Sequence, residues 1–433
     1  LYPNLLAKRI EFTVLHLKRI KQTIYYAKAQ SNNHWITESA ALFIGGNWLM
    51  QKSNSYYKDA KNWADIGRKE LEKSLEKLVL KDGSFPQQSI TYHRFVLDIL
   101  SQVEIWRNSL NLIPLNNSYQ KKFTLLINWL YTFVDRISGD APNLGANDGS
   151  YCFQLHDLSP RDFRPTLQLC SSLSDSFENL FYDSERCNEP LIWLNQIEKI
   201  FKKNINLKSK IFYEGGYINF QSKNNSWGLL RLPKYSYRPS QNDPLHFDFW
   251  YKGINILRDG GSYSYNASKK LTDYFSGIES HNTIQFKGNE QMIRFGRFLM
   301  GSKINFPNII ESENNKKFAM FKTYYHFEKN CHERIIIYRS LINSWEIVDI
   351  FRSSKKEILL RWRLAPIKWK HIKSNDFESS LAKFSIFSNN KIISCKLVNG
   401  LESRYYSEKK EIPVIELIIS GYEGKIKTVI NTL

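Results

Sequence analysis

The sequence predicts an α+β chain in two parts: a helical array or toroid-like domain over residues 1–207, then an antiparallel β-sandwich over residues 208–433. Three observations lead there. A length of 433 residues makes two domains the natural division. Up to about residue 205, apolar residues recur at three- and four-residue spacing. From about Ser209 the chain turns to short aromatic and β-branched runs, punctuated by Lys-Gly and Asp-Gly-Gly turns with no helical stretch between them.

The expected helices are Leu5–Ala29, Glu38–Met50, Tyr56–Leu80, Thr91–Asn111, Tyr119–Ile137 and Pro190–Lys203. ADIGRKELEKSLEKLVL shows the period most clearly, and short polar loops such as LKDGSFPQQS imply antiparallel hairpins of helices. In SNNHWITESAALFIGG, the asparagines before the apolar run read as a helix start, because an Asn side chain accepts from the first free N–H groups. The expected strands lie in KIFYEGGYINFQS, SWGLLRL, HFDFWYKGINILRDGG, NTIQFKG, FAMFKTYYHFEKN, ERIIIYRSLINSWEIVDIF and EILLRWRLAP. Successive strands without crossover helices make an antiparallel sandwich.

Composition bounds the function. A net charge of +19 favours a polyanionic partner: nucleic acid, an anionic membrane surface or an acidic polysaccharide. No zinc-finger spacing, RNP-like motif or long Lys/Arg block supports nucleic acid, and a compositional bias toward lysine accounts equally well for the charge. Aromatic residues at 14% suit a sugar-binding cleft and a sandwich core alike. Five cysteines without close pairs imply neither a disulfide framework nor a cysteine metal site. No apolar run approaches the roughly 18 residues of a membrane span. A signal-peptide pattern is absent from a chain that starts at Leu1; a fragment or processed form fits, and bacterial periplasm and cytoplasm both stay open.

Four segments carry a more specific signal. They are SNNHWITESAALF; DGSFPQQSITYHRFVLDIL; PNLGANDGSYCFQLHDLSPRDFRPTLQL; and RPSQNDPLHFDFWYKGINILRDGGSYSYN followed by SHNTIQFKG. In this order, over roughly residues 25 to 300, they resemble the heparinase II/III-like family of polysaccharide lyases, which includes related alginate lyases. They look closest to the branch often encoded with bacterial surface-polysaccharide (capsule or lipopolysaccharide) biosynthesis genes. The resemblance implies an (α/α) toroid followed by an antiparallel β-sandwich, with a glycosaminoglycan- or alginate-like chain cleaved in the cleft between the two. The helical half is short for a full toroid, and missing N-terminal helices would account for that.

Such lyases act by β-elimination at a uronate. The substrate carboxylate must be offset, the C5 proton removed and the leaving O4 protonated, which asks for amide or imidazole donors and a tyrosine. Carried over by motif, Asn33 holds the carboxylate, His34 assists it or acts as a base, and Tyr92 is the general base, the general acid or both. Tyr263 and Tyr265 stand where some members provide a second tyrosine. Read as a strand, the pair shares one face, and Tyr265 is the preferred catalytic candidate. Glu38, one helical turn after His34, either orients it or is a first-turn acid favoured by the helix dipole. His93, Asn147, Asp148, Arg164 and Gln241 complete the substrate-binding candidates. Each has a plain structural alternative: core packing for His93, an Asx turn ending at Gly149 for Asn147 and Asp148, a helix start for Arg164.

The pattern also departs from the family. Active members carry His-x-His-x-Asp before the strand that ends in Asp-x-Gly; the first His is catalytic, and the second, with the later Asp and a further His, holds a structural metal, usually zinc. Pro239 and Gln241 occupy those two positions here, and Gln is a poor zinc ligand. Asp259 and His281 remain, and His246 offers a third ligand from a shifted position, so a structural zinc on His246, Asp259 and His281 is the metal expectation. No cofactor is needed for the chemistry. Two rivals stay open: a uronate C5-epimerase on the same groups, and a non-catalytic glycan-binding or assembly factor favoured by Pro239 and Gln241.

Overall fold

The fold was analysed in a computed structural model. It describes residues 3–174, 185–196 and 208–433, apart from 223, 233, 236–238, 288–289, 297–298, 303, 307–309 and 315–317. Two compact units emerge, one made of Leu1–Val134 with Ser150–Asn206, the other of Asp135–Gly149 with Leu207–Leu433. The segment 135–149 therefore groups with the strands that follow it and not with the helices on either side of it in sequence.

The first unit contains α1 (Pro3–Gln30), α2 (Asn33–Lys52), α3 (Tyr57–Leu78), α4 (Ile90–Ser109), α5 (Asn117–Phe133), α6 (Arg164–Leu173) and the short α7 (Glu189–Trp193). Capped by Asn32, α2 begins at Asn33, five residues before the expected Glu38: the cap's backbone is extended and its side chain accepts from the His34 N–H. Ser89 and Asn116 cap α4 and α5 through the N–H groups of Tyr92 and Tyr119. The helix expected over Pro190–Lys203 ends at Trp193, and its residues from 197 on lie outside the described ones. α2 and α3 pack backbone to backbone. A Cβ on Gly46 would sit 2.6 Å from the Ala60 carbonyl, and one on Gly67 2.3 Å from the Phe43 nitrogen, so only glycine permits the approach.

Among the described residues, every strand pair in the second unit is antiparallel. β1 (Lys210–Phe212), β2 (Tyr217–Gln221), β3 (Ser226–Arg231), β4 (Phe247–Tyr251) and β5 (Ile254–Leu257) form a meander. KIFYEGGYINFQS is thus a hairpin, turned at Gly216 with φ +77°. A helix, α8 (Lys269–Ser276), leads into β6 (Ile284–Phe286) and the hairpin of β7 (Met292–Gly296) with β8 (Leu299–Ser302).

The remaining strands are β9 (Ile304–Asn305), β10 (Ile310–Asn314), β11 (Phe318–Phe327), β12 (Asn330–Arg339), β13 (Ser344–Arg352), β14 (Glu357–Arg363), β15 (Lys370–Lys373), β16 (Asp376–Glu378), β17 (Ala382–Ser388), β18 (Lys391–Glu402), β19 (Lys410–Ser420) and β20 (Glu423–Thr432). A large sheet runs β10-β11-β12-β13-β20-β17-β16-β15, with β9 on β11, and a smaller one runs β18-β19-β14-β6. The Leu257–Leu364 bridge joins the smaller sheet to the meander. One apolar core draws on all three sheets, through Phe220 and Phe249, Leu360 and Leu417, and Trp345 and Ile430. That is the expected sandwich, and alternate inward residues of β11 and β12 supply much of its filling.

Candidate functional site

The candidate residues fall into two groups, one in each unit. In the helical unit they gather at helix starts. Asn33 is the first residue of α2 and is buried; His34 beside it is exposed. The Asn33 N–H donates to Gln87 Oε1 at 3.0 Å. Gln87 lies two residues before Ser89, whose hydroxyl accepts from the Tyr92 N–H at 3.2 Å. One loop thus ties the start of α2, with Asn33 and His34, to the start of α4, with the half-buried Tyr92. Both starts lie at the positive end of a helix dipole. Trp35, fully buried, fixes α2 from behind: its Nε1–H donates to Glu70 Oε2 at 3.1 Å, and the Lys28 and Lys77 ammonium groups lie over its ring.

Glu38 does not orient His34 through a hydrogen bond. Its Oε2 is buried and meets no partner among the described residues, and burial raises its carboxyl above the usual range. His93 points into the core. It is 1% exposed, stacks on Trp129 at 4.3 Å and donates from Nε2 to the Leu126 carbonyl at 2.9 Å. Burial drives its imidazole down to about 4, against the pull of that carbonyl. A substrate contact by His93 does not fit this placement. Arg164 is likewise engaged at the start of α6, where its guanidinium pairs with Asp162 through two nitrogens at 2.6 to 3.2 Å.

A buried polar cluster that sequence reading missed lies behind Tyr92. The Arg94 guanidinium sits between the rings of Tyr151, at 4.0 Å, and Phe163, at 4.6 Å, and donates to the Pro160 carbonyl. One turn on, Asp98 accepts from the Thr166 hydroxyl at 3.0 Å, and burial raises its carboxyl to about 7 although Arg94 and Thr166 pull it down. The Tyr151 hydroxyl bonds His156 Nε2. These contacts hold residues 150–166 against α4. The i, i+4 spacing of Arg94 and Asp98 reads by itself as an ordinary surface pair, so no signal in the sequence marks their burial.

In the β unit, Asn147 forms an Asx turn: its Oδ1 accepts from Gly149 N–H at 2.8 Å, with Gly149 at φ +76°. Its own N–H donates to Ser262 Oγ at 2.9 Å, which brings Asn147 and the half-buried Asp148 to the loop after β5. That loop is not the expected strand. Asp259 Oδ1 accepts from the Gly261 N–H at 2.7 Å, Gly261 has φ +79° and Tyr263 φ +58°, so the chain turns before either tyrosine. Tyr263 stacks on Phe275 at 5.4 Å, whereas Tyr265 meets Tyr406 edge-on at 5.7 Å. Gln241 is buried with Oε1 unpartnered among the described residues.

His246, Asp259 and His281 do come together, all buried, with one ligand atom from each lying within 4.8 Å of the others. His281 Nδ1 is 2.9 Å from Asp259 Oδ2, and His246 Nε2 is 3.7 Å from the same oxygen. Asp248 joins them, with Oδ2 3.6 Å from His246 Nε2. Beneath the cluster, Arg334 and Asp349 form a fully buried pair, and Arg334 Nη1 donates to the carbonyls of Leu245 and Asn282, the neighbours of His246 and His281.

Comparison with known proteins agrees with this architecture. Residues 205–389 match the family model described as Heparinase II/III-like, C-terminal. Among solved structures, a heparinase III gene product is similar with a TM-score of 0.74 at 16% identity, over 98% of this chain and 63% of that one. The heparan sulfate lyase HepC from Pedobacter heparinus gives 0.68 at 16% identity, over 95% and 62%. A chondroitinase AC lyase gives 0.54 at 9%, over 94% and 62%. At these identities the likeness establishes the fold, helices followed by antiparallel sheets, and the chain spans about three fifths of the length of those structures. No curated protein matches the chain in sequence.

Proposed function

We propose that this chain, which belongs through residues 205–389 to the heparinase II/III-like family, is a polysaccharide lyase that cleaves a uronate-containing acidic chain by β-elimination. The observation that carries the proposal is the junction of α2 and α4, where Gln87 links the Asn33 N–H to the loop that caps the helix of Tyr92. An amide, an imidazole and a phenol thereby stand at two neighbouring helix starts.

The uronate C5–H is weakly acidic because the adjacent carboxylate is already charged. The Asn33 amide, with the dipole of α2 behind it, donates to that carboxylate and favours the negative charge that builds as the proton leaves. His34, exposed beside it, adds a second polar contact. Tyr92 takes the C5 proton as its phenolate; the electron pair forms the C4=C5 double bond, the C4–O4 bond breaks, and O4 receives a proton from the phenol. The net charge of +19 draws an acidic chain to the protein.

The test is ultraviolet absorbance of the unsaturated uronate, followed over a panel of acidic polysaccharides. The wild-type chain is expected to generate it, and Tyr92→Phe to lose about 10²- to 10⁴-fold in rate. Solvent deuterium entering C5 without chain cleavage would replace the lyase by an epimerase. Binding that Tyr92→Phe leaves intact, with no chemistry on any substrate, would replace it by a glycan-binding factor.

A further inference from the structure

We infer that the buried cluster of His246, Asp248, Asp259 and His281 does not take the zinc ion that its ligand types invite. The inference is independent of the lyase proposal and rests on hydrogen-bond direction.

The backbone N–H of Asn282 donates to His246 Nδ1 at 2.9 Å. A backbone N–H can only donate, so Nδ1 carries the lone pair and the neutral ring holds its single proton on Nε2. A histidine that binds zinc needs the reverse: a lone pair toward the metal and, on its other nitrogen, an N–H given to a carboxylate, carbonyl or water. Zinc on Nε2 would leave two N–H groups facing each other at Nδ1, or would demand an imidazolate.

Asn282 cannot turn away to relieve the conflict. Its carbonyl accepts from Arg334 Nη1 at 2.7 Å and its Oδ1 from the Arg363 N–H at 2.7 Å. Its Nδ2 donates to the carbonyls of Phe247 and Arg258. Asn282 and Arg334 are both 0% exposed, so freeing that N–H means breaking buried bonds with no water to replace them.

The other half of the cluster points the same way. Two ligands of a tetrahedral zinc, each about 2.0–2.2 Å from it, stand roughly 3.3–3.5 Å apart. His281 Nδ1 and Asp259 Oδ2 are 2.9 Å apart, the length of an N–H···O hydrogen bond. Asp259 therefore serves as the acceptor of a ring proton, and its other oxygen is taken by the Gly261 N–H. His246 Nε2 lies 3.6 Å from Asp248 Oδ2 and 3.7 Å from Asp259 Oδ2, beyond hydrogen-bond length, and His246 Nε2, Asp248 Oδ2 and His281 Nε2 have no hydrogen-bond partner among the described residues, so the two carboxylates offset the ring proton through charge alone. The other oxygen of Asp248 accepts from Trp250 Nε1 at 2.6 Å and from Asn255 Nδ2. The loop from Asp259 to His281 is fastened by this network.

The full chain is incubated with excess zinc and desalted, and its bound zinc is measured beside a His246→Gln variant. Melting temperature is recorded in chelator and in excess zinc. We expect the wild type to retain no more zinc than His246→Gln, and to melt at the same temperature in both solutions. Zinc retained at one per chain and lost in His246→Gln, with a melting temperature that zinc raises by mass action, overturns the inference. Should His246→Gln fail to fold, ¹⁵N-histidine spectra of the wild type decide: a proton that stays on His246 Nε2 in excess zinc supports the inference, and its displacement by zinc refutes it.

Discussion

Acidification should expose His93 as a core residue. Buried on Trp129, its imidazole is held near 4, while an unfolded histidine titrates near 6.5. Between those values the unfolded chain binds the proton and the native chain does not. Stability from this site is therefore complete above the unfolded value and drains away as pH falls toward the folded one. From pH 7 to pH 5 the difference in proton binding amounts to about 2 kcal/mol, and the full gap between the two values to about 3 kcal/mol. His93→Gln removes the titration and keeps a donor for the Leu126 carbonyl, so it isolates this contribution from every other carboxylate and histidine. Urea unfolding at pH 5 and pH 7 for both proteins gives the comparison. The wild type should lose about 2 kcal/mol more than the variant over that interval. Equal losses in the two proteins, or a His93 that titrates near 6.5 by NMR, would refute the burial argument and return His93 to the candidate substrate contacts.

Three further outcomes follow from packing and capping. Gly67→Ala drives a Cβ into the Phe43 backbone and should cost about 1–3 kcal/mol; an unchanged melting temperature would mean α2 and α3 are farther apart than described. Ser89→Ala removes the acceptor of the Tyr92 N–H and should cost about 0.5–2 kcal/mol in urea unfolding, with no loss expected if another group caps α4. Arg334→Met leaves the buried Asp349 carboxylate with His332 alone among the described residues and removes a donor from the Leu245 and Asn282 carbonyls, and should cost about 3–5 kcal/mol, more than an exposed pair such as Lys269–Asp273, whose removal should cost under about 1 kcal/mol.

The fold was largely legible because its signals are local. Three- and four-residue spacing marks α3, and aromatic and β-branched runs mark β11 to β14. Where reading failed, the deciding contact was distant in sequence. The exception is local: Asp-Gly-Gly already reads as a turn, Asp259 bonds back to the Gly261 N–H two residues on, and Tyr263 and Tyr265 beyond it still read as a strand. Gln87 looks like loop filler until Asn33, 54 residues away, gives it a hydrogen bond. Arg94 and Asp98 are spaced as an ordinary surface pair, and only the return of residues 150–166 over α4 buries them. For His246, residue type suggested a zinc ligand, while the direction of one N–H from Asn282, 36 residues on, decides which nitrogen holds the proton.

The most direct test of the central claim is mass spectrometry of the reaction products in ¹⁸O-labelled water, with an acidic uronate polysaccharide as substrate. β-Elimination breaks C4–O4 without water and leaves O4 on C1 of the departing sugar, so the account predicts new non-reducing ends that are lighter by one water than hydrolytic ends, new reducing ends that gain no ¹⁸O in the cleavage step, and neither product with Tyr92→Phe. Cleavage products that carry ¹⁸O at the broken linkage, or a Tyr92→Phe protein as fast as the wild type, would contradict it.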